Sequence, residues 1–161
     1  MRYEKPPRFG LSMSGDTLFE RIISGEIPCH KVSEGESWFA FLDIFPRREG
    51  HTLVVPKRGV RHISELSDDE ISGLFIGLKT VQSVLSNYFG TEDFTVCVHD
   101  GEKAGQEVPH VHIHVIPRTL GDGGLTLMSM WPKTGTVSGE PNHESLDKLA
   151  SELRGDIVET S

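Results

Sequence analysis

The stretch His110-Val111-His112-Ile113-His114-Val115-Ile116 constrains this chain more than any other. Successive side chains of a β-strand point to opposite faces. His110, His112 and His114 therefore share one face. Val111, Ile113 and Val115 share the other and pack into a core. The β-branched content favours a strand, and Pro117 ends the run. Three of the chain's eight histidines fall within these few positions. Two readings follow. One is a strand whose polar face is rich in histidine. The other is a row of imidazoles that act on a phosphate or bind a metal.

The surrounding chain supplies helices and strands to flank this one. Asp16 is placed to cap a helix that carries Leu18, Phe19, Ile22 and Ile23 on one face. Gly25 stands where a terminator is expected, and Pro28 prevents continuation. Lys31 to Glu34 and Trp38 to Leu42 read as a hairpin around Gly35. Asp43 to Pro46 closes the second strand and leaves the loop Arg47 to Gly50. His51 to Val55 is a third strand, ended by Pro56. Lys57 to His62 is a basic, solvated connector. Ser67-Asp68-Asp69-Glu70 is a capping box. It opens a long helix with Ile71, Leu74, Phe75, Leu78, Val81 and Leu85 at the spacing of one apolar face. Gly73 and Gly77 each weaken that helix by about 1 kcal/mol relative to Ala, so they mark close packing against a strand or a second subunit. Gly90 is the stop, Phe94 to Val98 a fourth strand, and Asp100 to Val108 a loop into the histidine strand.

Beyond Arg118 the chain turns glycine-rich and then reaches Trp131-Pro132. Gly135 to Asn142 reads as an exposed linker, and Glu144 to Leu153 as an amphipathic helix through Leu146, Leu149 and Leu153. Residues 1–14 read as a polar, mobile arm, 15–134 as the folded domain, and 135–161 as linker and tail helix. The whole is an α+β chain: a five-stranded antiparallel sheet with a long helix, a short N-terminal helix and a tail helix.

Bulk properties exclude several classes. With 161 residues, the chain is of one-domain length. A net charge of -8 argues against nonspecific nucleic-acid binding, which needs a basic surface. Cys29 and Cys97 lack paired spacing, which points to a reducing, cytoplasmic setting. No apolar run approaches the roughly 20 residues of a membrane helix, and residues 1–14 lack the apolar core of a secretory signal.

The histidine run, with Asp100 to Pro109 before it and Pro117-Arg118 after it, resembles the signature of the histidine triad family of nucleotide hydrolases and transferases. Asp16 to Glu26, Trp38 to Pro46 and Gly50 to Lys57 are also similar to that family's amino-terminal half. The resemblance runs in order over residues 15 to 132. It implies the same α+β fold, a homodimer whose sheets join, a small nucleotide substrate and no cofactor. It also implies that His112 attacks the α-phosphorus to form a nucleotidyl-histidine intermediate, from which water releases a nucleoside monophosphate.

By the same resemblance His114 bonds the phosphate or leaving group, and His110 positions His112, partly through its backbone carbonyl. His51 matches a family position facing the triad and is equally a structural histidine. Gln106, in Ala104-Gly105-Gln106, resembles the phosphate-contacting loop, where glycine permits close backbone approach. Phe19, Ile22, Ile27, Phe41, Ile44 and Leu53 match positions that sandwich the base, and each is equally a core residue. Asp43 matches the ribose-holding aspartate; a carboxylate ending an apolar strand is costly unless exposed or paired.

The sequence departs from the family pattern in three places. His99 stands where Asn or Gln is usual at the α-phosphate. Glu107 stands where one branch has serine near the leaving group, so it repels an anionic leaving group or favours a cationic one. Leu18 to Arg21 has no cysteine, so the structural zinc site of some members is missing. A metal-dependent hydrolase, with His51 or His99 completing a His-x-His chelate, is the alternative from outside the family. No Asp or Glu near the triad sits at a recognisable ligand spacing. A nucleotide-binding or partner-binding protein without catalysis is another.

Overall fold

The computed structural model describes residues 15–130 and 140–155. The arm at 1–14, the Trp131-Pro132 pair and most of the linker expected from Gly135 lie outside the described residues. The chain divides into two compact units after Asp122.

The first unit opens with α1 (Leu18–Ile23). Its cap is Thr17 rather than Asp16. Thr17 Oγ1 accepts from the Glu20 N–H at 3.1 Å, and the Glu20 carboxylate accepts from the Thr17 N–H at 2.9 Å. A capping box needs an acid three residues on; Thr17 has one in Glu20, whereas Asp16 is followed by Phe19. Strands β1 (Lys31–Glu34) and β2 (Trp38–Leu42) form the expected hairpin, with β3 (Thr52–Pro56) beside them. Helix α2 (Asp68–Phe89) begins at the Ser67 capping box and ends at Gly90 in the left-handed conformation, with φ of 67°. Strands β4 (Phe94–Cys97) and β5 (Ile113–Pro117) complete an antiparallel sheet of order β1-β2-β3-β5-β4. Strand bounds differ from expectation by a residue: β3 runs Thr52–Pro56 instead of His51 to Val55, and β4 ends at Cys97 instead of Val98.

The period-two pattern sorts the central strands onto two buried faces. Trp38, Ala40, Val54, Val111, Ile113 and Val115 pack against Leu74, Leu78, Val81 and Leu85 of α2. Phe39, Phe41, Leu53 and Val55 pack on the other face with Phe19 and the partly buried Leu18, Ile22 and Ile23 of α1. That second face also receives the histidines. Phe75 was expected on the buried stripe of α2 but is 57% exposed. At about 100° per residue it lies about 100° around the helix from Leu74 and about 60° from Leu78.

Gly73 and Gly77 are explained within this one chain. A Cβ at Gly77 would lie 2.5 Å from Trp38 Cδ2, and one at Gly73 would overlap Ser37 Oγ. The small residues let α2 lie directly on the start of β2. The second unit contains α3 (His143–Arg154), capped by Asn142, with Leu146, Leu149 and Leu153 exposed.

Candidate active site

The histidine strand begins later than the pattern suggests. Ladder pairing starts at Ile113, and His110 to His112 form the lead-in. The reason is local: the His110 N–H turns back to the Val108 carbonyl at 2.8 Å, and the Val111 N–H donates to Val60 at 2.8 Å instead of to a strand. Side-chain alternation nevertheless holds. The His112 and His114 rings lie 4.9 Å apart, and Phe19 meets His110 and His112 edge-on at 5.4 and 5.3 Å.

Hydrogen bonds assign a proton position to each ring. His110 is fully buried. Its Nε2 lies 2.7 Å from the Pro56 carbonyl, which can only accept, so Nε2 carries the proton. Its Nδ1 lies 2.6 Å from Thr17 Oγ1, which donates to it while accepting from Glu20. Burial holds His110 below the ordinary imidazole range, against the pull of the Pro56 bond. This ring is neutral, with both nitrogens engaged.

His112 Nδ1 lies 2.7 Å from the His110 carbonyl and donates to it. Its Nε2 is left as the bare base. Burial again lowers the pKa, outweighing the bond to His110. His51 Nδ1 accepts from the Arg47 N–H at 3.1 Å. The proton of neutral His51 is then on Nε2, which donates to His114 Nδ1 at 2.9 Å. His114 therefore carries its own proton on Nε2. Its pKa is pushed down to about 3, first by burial and then by the neighbouring His112 and His51. Burial lowers His51 as well. The row thus presents a base at His112 and a donor at His114, side by side.

A cavity of about 340 Å³ opens over this row. His51, His112, His114, Asp43, Phe19, Leu53 and His99 line it, and these are sequence-selected residues brought together. The His99 ring lies 5.6 Å from that of His114. Asp43 Oδ1 accepts from the Phe45 N–H at 2.8 Å, and Oδ2 lies 3.6 Å from His51 Nε2. Phe41 stands behind Phe19, with ring centroids 5.4 Å apart, and does not line the cavity. Ile22 and Ile27 are partly buried off the wall, and Ile44 is 69% exposed. Gln106 is buried outside the wall, with Nε2 donating to the Arg61 carbonyl at 2.8 Å and Oε1 without a partner among the described residues.

Sequence reasoning passed over Arg47, Phe45, Cys97 and Val108 in the wall, and Thr17 behind it. Thr17 had a detectable signal, the acid at Glu20. The others lie in loops or at a strand end, where no period marks a face.

Asp43, His51 and His114 offer ligand atoms all within 4.8 Å of one another. A carboxylate therefore does stand beside the histidines, against the expectation from spacing, because β2 ends beside the start of β3. The donor chemistry fits a metal poorly. Binding at His51 Nε2 would move its proton to Nδ1, facing the Arg47 N–H that now donates there.

An antiparallel sheet carrying alternating imidazoles under an open cavity defines a class, and comparison places the chain within it. The model of the HIT domain matches residues 24–120. The chain belongs to the histidine triad (HIT) family. It is 41% identical over 138 residues to an uncharacterized HIT-like protein of Methanocaldococcus jannaschii, covering 86% of this chain and 98% of that one. It is 37% identical to the adenosine 5'-monophosphoramidase hnt1 of Schizosaccharomyces pombe, over 71% of this chain and 82% of that one. It is 40% identical to the bis(5'-adenosyl)-triphosphatase of Dictyostelium discoideum, over 72% and 77%. The crystal structure of SMU.412c from Streptococcus mutans superposes with a TM-score of 0.76 at 32% identity, covering 96% of this chain and 93% of that one.

Proposed function

We propose that this protein hydrolyses a nucleotide at its α-phosphate, taking a nucleoside phosphoramidate or a dinucleoside polyphosphate and releasing a nucleoside monophosphate. The observation that carries this is the His112 ring: Nδ1–H held on the His110 carbonyl, Nε2 bare and neutral beside the cavity. Relatives named as a phosphoramidase and as a triphosphatase support both substrate types.

His112 Nε2 attacks the α-phosphorus. A P–N bond forms, the bond to the leaving group breaks, and the leaving group departs with the electron pair. The Nε2–H of His114 bonds a phosphoryl oxygen or the departing atom, where charge develops. Water then attacks phosphorus: its hydroxyl bonds to phosphorus, its other proton is released to solvent, and the P–N bond breaks with its electron pair returning to Nε2. Covalent relay splits one hard displacement into two easier ones. Adenosine phosphoramidate, diadenosine triphosphate and diadenosine tetraphosphate, each with and without chelator, test the reading. Turnover insensitive to chelator is expected on at least one. Activity abolished by chelator and restored by zinc would favour the metal hydrolase, and binding without turnover the sensor.

Asp43 is the ribose contact in this reading. Asp43→Ala is expected to weaken nucleoside monophosphate binding by about 1.5–3 kcal/mol, the range for bonds to a charged group. Unchanged affinity by calorimetry, with the fold intact, would remove Asp43 from that role.

We also propose a homodimer. Among the described residues strand β4 is an unpaired sheet edge, with Val96 exposed, and α2 exposes Phe75, Ile76, Val84 and Tyr88. The glycines of α2 no longer argue for it, since Ser37 and Trp38 account for them. Sedimentation at micromolar concentration is expected to give a dimer; a monomer would count against this face. Free thiols at Cys29 and Cys97 support a cytoplasmic setting. Among the described residues no helix is long and apolar enough to cross a membrane.

A further inference from the structure

We propose that Arg47 holds a second phosphate group of the substrate, beyond the one that His112 attacks. This rests on the nucleotide-hydrolase reading above.

Among the described residues Arg47 is the only Arg or Lys side chain in the cavity wall, which also carries two carboxylates, Asp43 and Glu107. Its side chain makes no hydrogen bond or ion pair within the described residues. Arg61 also lacks a side-chain partner among the described residues but does not line the cavity, whereas Arg48, Arg58 and Arg118 are engaged. Arg48, next in sequence, donates to the Pro117 carbonyl at 2.7 Å, to Asp122 at 2.8 Å and to Thr119 at 3.1 Å. Arg58 is held by Glu70, and Arg118 by Asp122 and Thr95. The anchored Arg48 and the Arg47 N–H bond to His51 fix the backbone on both sides of the free guanidinium.

Depth separates Arg47 from the reacting centre. His112 is 6% exposed and lies on the cavity floor, whereas Arg47 is exposed at its mouth. Burial and then charge give the same picture. His51 and His114 feel Arg47 as a minor downward influence after burial. His112 answers to burial, the His110 carbonyl, His99, Asp43 and Glu107 instead. A guanidinium at the mouth, with its fork of donors unused, suits a phosphate bidentately. A phosphate bound on the floor would leave that fork empty. The second phosphate belongs either to the leaving chain or to the sugar.

Calorimetry on wild type, Arg47→Ala and Arg47→Lys separates these with AMP, ADP and adenosine 3',5'-bisphosphate. Arg47→Ala is expected to bind AMP within about threefold of wild type. It is expected to lose at least about tenfold, or 1.4 kcal/mol, on ADP or on the bisphosphate. Loss on ADP assigns the leaving chain; loss on the bisphosphate assigns the sugar. Arg47→Lys is expected to keep part of the gain, and salt to shrink it. Equal loss on all three nucleotides, or loss on none, overturns the proposal. Because the readout is binding, it stands apart from catalysis: this affinity pattern in a protein that turns over no substrate would sink the hydrolase reading alone.

Discussion

Replacing His112 with alanine is expected to cut turnover by at least about 10³, roughly 4 kcal/mol of barrier, while substrate affinity stays within about tenfold. The neighbouring imidazoles cannot stand in. Both nitrogens of His110 are engaged, by Thr17 and the Pro56 carbonyl. His114 gives Nδ1 to His51, and its remaining nitrogen carries a proton. What survives in the variant is the pocket wall of Phe19, Leu53 and Asp43, which acts on ground state and transition state alike. That partition predicts a fall in kcat with little change in KM. Acid-labile nucleotidyl adduct on His112 should be trapped when wild-type protein is quenched during turnover. Retention of more than about a tenth of wild-type rate by His112→Ala would place the nucleophile elsewhere.

Much of this arrangement is written in short-range sequence signals. The period of two placed His110, His112 and His114 opposite Val111, Ile113 and Val115, and the sheet keeps that division. The Ser67 capping box and Gly90 bounded α2 because caps are made by residues a turn apart. The tautomers of His110 and His114 were not legible, since they depend on groups brought from far along the chain, whereas His112 is set by the His110 carbonyl two residues away. Thr17 reaches His110 across 93 positions, and His51 reaches His114 across 63. The wall residues Arg47 and Phe45 were illegible for a different reason. They sit in a loop with no repeat, where only the closure of β2 onto β3 decides what faces inward. Ile44 shows the reverse limit: by family resemblance it matches a base-sandwiching position, yet after β2 it is exposed.

The same buried imidazoles should make the fold sensitive to mild acid. An imidazole with a native pKa below its unfolded value of 6.5 binds fewer protons folded than unfolded. Stability is then fully present above about pH 6.5 and falls as pH drops toward the native pKa. For His114, lowered to about 3, the loss between pH 7.5 and pH 5 is up to about 2 kcal/mol. His51, His110 and His112 shift in the same direction, each chiefly by burial, and add to it. Carboxylates do not confuse this window. Glu20, Glu26, Glu34 and Glu70 have lowered values, so their contribution is lost mainly below about pH 5, as pH falls through the ordinary carboxylate value toward the lowered one. Urea unfolding followed by tryptophan fluorescence is expected to show a drop of at least about 2 kcal/mol from pH 7.5 to pH 5, a linkage effect. His114→Asn, which cannot take up a proton, should remove up to about 2 kcal/mol of that dependence. A stability profile flat between these two pH values would mean that the four rings are accessible enough to charge without cost, and the neutral, proton-ordered row at the site would have to be given up.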